Sequence, residues 1–260
     1  MEEITLHQGD CLEVMKSIAD KSVDAIICDL PYGTTACKWD TVIPFEPLWA
    51  QYKRIIKDNG AIVLTSSQPF TSALVMSNPK WFKYQWIWDK KIPSGMSYAR
   101  FQPMRQHEDV LVFCGGKTPY NAQVTQRDKP IKKGGNSYSE SAPIQASKEG
   151  KTFKKTYTTK QPTSIITFAK VRRGSIHPTQ KPVSLMEWCL GFFPKAKIIA
   201  DPFCGSGSTG VAAIKCARQF KGIEIEQRYF EIACRRISDE LKRPRLNLEA
   251  PPKPIQEALL

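Results

Sequence analysis

The sequence predicts an α/β fold built on a mostly parallel sheet with helices on both faces. Three observations carry that expectation. Seven short β-rich runs are spread along 260 residues, helical periods separate several of them, and acidic residues stand where three of the runs end. Strands that alternate with helices become parallel neighbours joined by crossovers, and such sheets are covered on both sides. One domain carrying one insertion accounts for the length.

The elements follow in order from period and punctuation. Ile4-Thr5-Leu6-His7 is the first strand-like run, and Val23 to Cys28 is the second, with Asp29 at its end. Pro47 to Ile56 reads as a helix and Ala61 to Thr65 as the third strand. In Tyr84 to Trp88 the indoles alternate with Gln85 and Ile87, which points to a buried strand. Trp88-Asp89-Lys90 at its end is a candidate to face a pocket. Val110 to Phe113 is a strand preceded by His107-Glu108-Asp109. Ser184 to Leu190 reads as a helix, with Ser184 and Glu187 at capping-box spacing. Lys197 to Ala200 and Phe220 to Ile225 complete the seven strands, and Ile225, Tyr229, Ile232, Ala233 and Ile237 form a helical stripe after the last. No internal repeat is present.

Composition points to a polyanionic partner. The chain has 38 Lys+Arg against 25 Asp+Glu, a net charge of +13, and a pI near 9.4. Much of the excess is local: from Lys117 to Arg173 thirteen basic residues face only Asp128, Glu140 and Glu149, a net +10. That stretch is rich in Ser, Thr, Gly, Tyr and Pro and shows little apolar periodicity. A long segment of this kind is functional or disordered. Basic side chains position phosphates, while Asn, Gln and Arg read base edges. Lys132, Lys133, Lys154, Lys155, Arg172 and Arg173 are the candidate nucleic-acid contacts, and a solvated insertion is the bland alternative.

Lys197-Ile198-Ile199-Ala200 leads into Asp201-Pro202-Phe203-Cys204-Gly205-Ser206-Gly207-Ser208-Thr209-Gly210, and Val211-Ala212-Ala213-Ile214 then suits a helix. Strand, tight glycine turn and helix form the arrangement in which backbone approaches a ligand closely. Gly205 and Gly207 supply the missing β-carbon that such an approach requires. Glu224 stands 23 residues after Asp201, at the end of the next strand, where a carboxylate accepts hydrogen bonds from ribose hydroxyls. The bland alternatives are a ligand-free loop and a solvated glutamate.

Asp29-Leu30-Pro31-Tyr32 stands at the carboxyl end of a strand, where ligands of open α/β sheets gather. Taken alone, the tetrapeptide is equally a turn with an exposed aromatic.

Five segments together resemble one family. Asp29-Leu30-Pro31-Tyr32 is similar to the Asp-Pro-Pro-Tyr motif of the S-adenosylmethionine-dependent amino-group DNA methyltransferases. Asp201 to Gly210 resembles their cofactor motif and Phe220 to Glu224 their ribose-binding strand. His177-Pro178-Thr179-Gln180-Lys181-Pro182 resembles the segment that closes over the methionine end of the cofactor. Gln8-Gly9-Asp10-Cys11 resembles the opening segment, whose Asp contacts the cofactor adenine. The catalytic motif precedes the cofactor motif, the order of the family's β group. The resemblance spans nearly the whole chain except roughly residues 117 to 170 and the tail. His107-Glu108-Asp109 also resembles a family segment that shapes the target-base pocket.

The resemblance implies a Rossmann-like methyltransferase fold with a seven-stranded sheet. Residues 1–116 would form the catalytic part, 117–170 a target-recognition insertion, 171–242 the cofactor-binding part and 243–260 a tail. It implies Asp29, Leu30, Pro31 and Tyr32 as catalytic residues. It implies Asp10, Thr179, Lys181, Asp201, Phe203, Gly205, Gly207, Thr209 and Glu224 as contacts to S-adenosylmethionine. Double-stranded DNA is the implied partner, with a homodimer as a further expectation.

The chemistry is intelligible from the residues themselves. The lone pair of an exocyclic amino group is delocalised into its ring. Asp29 and the Leu30 carbonyl would accept its two N–H hydrogens, draw the nitrogen towards tetrahedral geometry and free the lone pair. The methyl donor then needs in-line placement, and Tyr32 offers a ring on which the base stacks. Such an amino group is unreachable inside a duplex, so the base would be flipped out. Leu30 departs from the family's proline, retaining the carbonyl but adding an N–H. Asp at the first motif position goes in the family mostly with adenine N6 and Ser mostly with cytosine N4, so adenine is expected. The alternatives are an N4-cytosine enzyme, an RNA or protein amide methyltransferase, and a catalytically silent DNA-binding relative. Cytosine C5 chemistry needs a nucleophilic thiolate usually presented in a Pro-Cys pair, and no such dipeptide occurs.

Eight cysteines without a C-x-x-C pair speak against a zinc module or a disulfide framework, so no metal is expected. Neither a signal peptide nor a membrane-length apolar run is present, and a cytoplasmic protein is expected.

Overall fold

The computed structural model describes residues 3–33, 40–135, 153–171, 176 and 179–243, the side chains of 133–135 and 153–155 excepted. The chain runs β1 (Ile4–Gln8), α1 (Cys11–Met15), β2 (Val23–Asp29), α2 (Phe45–Ile55), β3 (Ile56–Ser66), α3 (Phe70–Ser77), β4 (Phe82–Ser94) and β5 (Arg105–Phe113). It continues through β6 (Thr125–Gly135), β7 (Phe153–Lys160), β8 (Ile165–Thr167), α4 (Val183–Gly191), β9 (Ile198–Asp201), α5 (Ser208–Lys215), β10 (Gln219–Glu224) and α6 (Gln227–Lys242).

The main sheet has the order β1-β10-β9-β2-β3-β5-β4-β8. Every neighbouring pair is parallel except those made by β5, which runs antiparallel between β3 and β4. The mostly parallel sheet of the sequence reading is therefore present, with eight strands described rather than seven. The eighth, β8, comes from the stretch read as an insertion and pairs Ile165 with Ile87 of β4. Three residues are too short a run to show an alternation in sequence. The rest of that stretch includes an antiparallel pair, β6 and β7, which forms a separate two-stranded sheet.

A period of two along the central strands builds one core on each face of the sheet. Ala25, Ile27, Ala61, Val63, Val110 and Val112 face the residues of α4, α5 and α6, among them Leu185, Met186, Val211, Ala212, Ala233 and Ile237. Their strand neighbours Ile26, Cys28, Ile62, Leu64, Leu111 and Phe113 face α1, α2 and α3 through Met15, Leu48, Trp49, Tyr52, Phe70 and Leu74. Trp86 and Trp88 are buried in the first of these cores, as their alternation predicts.

Two local expectations differ from what is found. Helix α4 is preceded by Pro182, with no side-chain cap, so the Ser184–Glu187 spacing is not used as a capping box. Pro182 starts the helix ahead of Ser184, and Glu187 instead pairs with Lys215 of α5. Ile225 lies in the turn before α6 and is more than half exposed, so the buried stripe of that helix is centred on Ala233 and Ile237. No helix among the described residues is long and apolar enough to cross a membrane.

Gly210 sets how closely α5 approaches the sheet. A β-carbon there would lie 2.8 Å from the Phe220 ring of β10 and would also strike Ile237 of α6. Gly210→Ala is expected to destabilise the fold by about 1–3 kcal/mol through overpacking. Urea unfolding checks this, and an unchanged midpoint would contradict the packing argument.

Candidate active site

The strand order reverses between β9 and β2. From this point β10 and β1 extend to one side, and β3, β5, β4 and β8 to the other. Side chains at the carboxyl ends of strands flanking such a switch point face a common crevice. A cavity of about 660 Å³ lies there, lined among others by Asp29 to Tyr32 after β2, Asp201 to Ser206 after β9, Glu224 after β10 and Gly9 to Cys11 after β1. Its lining holds seven carboxylate residues, Asp10, Asp29, Asp40, Glu108, Asp201, Glu224 and Glu226, against Lys90, Arg105, Lys170 and Lys181. In a chain of net charge +13 the cavity is thus an acidic enclave, suited to a ligand bearing positive charge.

The turn after β9 is organised by carboxylates. Asp201 is buried, its Oδ1 accepts the Phe203 N–H at 3.1 Å, and the Thr209 hydroxyl also bonds to it. Burial pushes its carboxyl up to about 7, against the effect of those donors. Glu224 accepts the Gly205 N–H at 2.7 Å with one oxygen and the Glu226 N–H at 2.9 Å with the other. The carboxylate keeps acceptor capacity for a hydroxyl donor. Gly205 has φ +52° and lines the cavity. Gly207 does not line it: with φ +79° it precedes α5, and a β-carbon there would meet Ala233 at 3.1 Å. Gly207 therefore fits the turn against α6. Gly205, Gly207 and Gly210 have G-x-G-x-x-G spacing, and the third glycine serves helix–strand packing. The Asp10 side chain accepts from Leu12 N and Glu13 N at 2.8 and 3.2 Å, capping α1 at the cavity edge.

At the end of β2 the Asp29 carboxylate has three donors. Oδ1 accepts from the Tyr32 hydroxyl at 2.6 Å and from the Thr65 hydroxyl, and Oδ2 accepts from Lys181 Nζ at 2.5 Å. Tyr32 stacks on Phe70, with centroids 5.3 Å apart and planes at 26°. Its hydroxyl is held well above the usual phenol range by burial and by the Asp29 charge, so it remains a donor. Leu30 is buried against the α1–α3 core, and Pro31 lines the cavity.

Lys181 lies at the centre of this side of the cavity. Its ammonium pairs with Asp29, approaches Glu108 Oε2 at 3.4 Å and overlies the Tyr32 ring at 5.6 Å from the centroid. Burial works against its charge, but the Asp29 and Glu108 carboxylates outweigh it, so the ammonium is held above the ordinary lysine range. Glu108 also pairs with Lys90 at 3.1 Å. Burial raises its carboxyl, yet Lys181 and Lys90 bring it below the usual glutamate range. Of His107-Glu108-Asp109 it is thus Glu108 that reaches the cavity, while His107 is exposed.

The structure brings Asp29, Leu30, Pro31, Tyr32, Asp10, Thr179, Lys181, Asp201, Phe203, Gly205, Thr209 and Glu224 to one cavity. Sequence reasoning missed Thr65 and Asp40, and read Lys90 only as part of Trp88-Asp89-Lys90 facing a pocket, without its pairing with Glu108. A usable signal existed for Lys90, which stands two residues beyond Trp88 on an alternating strand and so shares its face. Lys132 is exposed on β6, and the ladder aligns Lys133 with Lys155 and Gly134 with Lys154. Arg172 and Arg173, like His177 and Pro178, lie outside the described residues.

A DNA methylase family model matches residues 23–235. The chain is 24% identical over 265 residues to a Type II methyltransferase, M2.MboI, of Moraxella bovis, covering 92% of this chain and 89% of that one. It is 28% identical over 260 residues to the DNA adenine methyltransferase YhdJ of Escherichia coli (strain K12), covering 91% and 83%. Among solved structures, the M1.HpyAVI–SAM complex is similar with a TM-score of 0.59 and 26% identity, over 90% of this chain and 99% of that chain.

The Asp201 carboxyl yields a stability prediction with a defined sign. Its folded value of about 7 exceeds the ~3.9 of an unfolded Asp, so the folded state holds the proton more tightly. The associated stability is complete below about pH 4 and is lost as pH rises through about 7. Asp201→Asn, without that proton, is expected to lose roughly 2–4 kcal/mol less than the wild type between pH 4 and pH 8.5. Urea unfolding of both proteins at the two pH values checks this. Parallel losses would refute the assignment.

Proposed function

This chain belongs to the N6/N4-type DNA methylase family, and we propose that it transfers a methyl group from S-adenosylmethionine to the N6 amino group of an adenine flipped out of duplex DNA. It is a DNA methyltransferase. The observation that supports the fuller reading best is the position of Asp29: it shares one cavity with the glycine turn, from the neighbouring strand end.

The residues present fit the cofactor. The cavity volume is within the range of small-molecule sites, Gly205 leaves space beside Asp201 and Phe203, and Asp10 and Glu224 supply carboxylates at its edge. Asp10 would face the adenine end, Glu224 the ribose hydroxyls and Thr179 the methionine end, with Asp201 and Thr209 holding the turn. Bound there, S-adenosylmethionine supplies a methyl group made electrophilic by its sulfonium.

The chain's own residues prepare the nucleophile. Asp29 Oδ2 and the Leu30 carbonyl accept the two N–H hydrogens of the target amine, which favours a pyramidal nitrogen with a free lone pair. Tyr32, backed by Phe70 and tied to Asp29 through its hydroxyl, carries the base on its ring. After methyl transfer the nitrogen must lose one proton, and Asp29 is the carboxylate in reach to take it and pass it to water. The adenine assignment is supported by Asp at the first position of the motif and by the likeness to an enzyme named as a DNA adenine methyltransferase.

The test is methyl transfer from labelled S-adenosylmethionine to mixed-sequence unmethylated duplex DNA, followed by nucleoside analysis. N6-methyladenine is expected, and Asp29→Ala should lower its formation about a hundred- to a thousandfold. N4-methylcytosine would keep the mechanism and overturn the base assignment. No labelled DNA would overturn the reading.

The β6–β7 pair and the segment around it carry the proposed phosphate contacts, with Lys132, Lys133, Lys154, Lys155, Arg172 and Arg173 as candidates. Replacing the four lysines by Ala is expected to weaken DNA binding irrespective of sequence and to reduce the slope of log K against log[salt] by about 3–4. Binding titrations at several salt concentrations read this. An unchanged slope would remove these lysines from the DNA interface.

A further inference from the structure

We propose that the Lys181 ammonium occupies the target amino group's place in the DNA-free enzyme, and that Glu108 is the positioning residue that draws it aside when the base enters. The inference rests on the reading above, in which Asp29 and Tyr32 receive the target base. Those two residues are the ones that Lys181 touches together: Nζ is 2.5 Å from Asp29 Oδ2 and 5.6 Å from the Tyr32 ring centroid. An ammonium donating N–H to a carboxylate above an aromatic ring reproduces the contacts that an exocyclic amine would make there. Asp29 Oδ1 is already engaged by Tyr32 and Thr65. An incoming N–H must therefore share or take the oxygen that Lys181 holds.

The structure also contains a destination for the displaced ammonium. Glu108 Oε2 is buried without a hydrogen-bond partner among the described residues, and it lies 3.4 Å from Lys181 Nζ. That separation is an ion pair but is long for a charge-assisted hydrogen bond, which forms at about 2.7–2.9 Å. A side-chain adjustment on the order of half an ångström to one ångström closes it. The other Glu108 oxygen is fixed by Lys90, itself buried, so the carboxylate is held ready. Moving from Asp29 to Glu108 exchanges one carboxylate partner for another and never leaves a buried ammonium unpaired, the costly alternative. It also frees the Asp29 oxygen at the moment the amine needs an acceptor.

Glu108 is linked to Asp29 through Lys181, and Lys90 holds its other oxygen. A double-mutant cycle isolates this coupling. With wild-type enzyme and duplex DNA, Glu108→Gln is expected to lower kcat/KM for DNA about tenfold while the KM for S-adenosylmethionine stays within about twofold. In a Lys181→Met background the same change should cost less than about twofold, because Glu108 acts through the ammonium that is no longer present. Fluorescence of 2-aminopurine at the methylated position reads base entry without chemistry, so it carries the same cycle if Lys181→Met is too slow to assay. Should Lys181→Met fail to fold, Glu108→Asp carries the test: with the charge retained, it should recover at least half of the rate lost in Glu108→Gln. Equal cost of Glu108→Gln in both backgrounds, no cost in either, or equal impairment of the Asp and Gln variants would overturn the proposal. A wild type that methylates no DNA would overturn the underlying reading, and the proposal with it.

Discussion

Pairing of Ala25 and Ile26 on β2 with Ile199 and Ala200 on β9 is the constraint on which the site depends. These strands are far apart in sequence, yet their ladder fixes which residues meet at the carboxyl ends. Asp29 ends one strand and Asp201 the other, so two distant acidic residues become neighbours in one crevice. Asp24 reinforces the same junction from its opposite end, where its carboxylate accepts the N–H groups of Lys197 and Ile198. Register is strongly specified here because the side-chain period is two and both faces are buried. A slip by one residue would exchange Ala25 and Ile27 with Ile26 and Cys28 between two differently shaped cores.

Bringing carboxylates together has an electrostatic consequence that the rest of the site answers. Asp201 is raised chiefly by its own burial and further by Asp29 and Glu224. The two sides of the crevice respond differently. Around the glycine turn, backbone N–H groups and a threonine hydroxyl solvate the acids, a neutral solution that leaves the region acidic overall. Around Asp29, two buried lysines and Glu108 form an alternating chain of charges from Asp29 through Lys181 and Glu108 to Lys90. One half is thus acidic and suited to a cationic ligand, while the other already holds the Lys181 ammonium between Asp29 and Glu108. The large positive charge of the chain is placed elsewhere, much of it between Lys117 and Arg173, where phosphates rather than a sulfonium would be met.

Much of this was legible because strands with both faces buried write their position into the sequence. Val23 to Cys28 and Val110 to Phe113 are almost wholly apolar, and acidic residues stand out at the ends of the strands before the turns. Strands β6 and β7 carried no such signal. Ile131 pairs with Tyr157 across the ladder, but lysine, threonine and glycine make up most of both runs, so no apolar alternation announces the strands. Gly207 shows the opposite failure. Its residue type was read correctly as a need for space, but a sequence does not say whether a ligand or a helix fills that space, and Ala233 does. The segments holding Lys90 and Glu108 were read as candidates to face a pocket, but their burial was not legible, because charged residues are ordinarily exposed. Only their mutual pairing and that with Lys181 makes burial tolerable, and pairing is a property of three segments at once.

Leu30 shows how the motif tolerates its departure from the family pattern. A proline at this position would restrict φ through its ring, holding the backbone carbonyl after Asp29 in place covalently. Leu30 lacks that ring, but its side chain is 4% exposed and packs in the core beneath the sheet with the residues of α1 to α3. Burial of a leucine contributes about 1.5–3 kcal/mol, enough to hold one residue's backbone against the roughly 1–2 kcal/mol of conformational entropy lost in fixing it. Pro31 follows and keeps its own restriction, and it also biases Leu30 towards extended backbone. Tyr32 is fixed from both ends by its hydroxyl on Asp29 and its ring on Phe70. The carbonyl proposed to accept the target N–H is therefore anchored by packing below and by Pro31 and Tyr32 beyond, so the first proline of the motif is one means of fixing that carbonyl and a buried leucine is another.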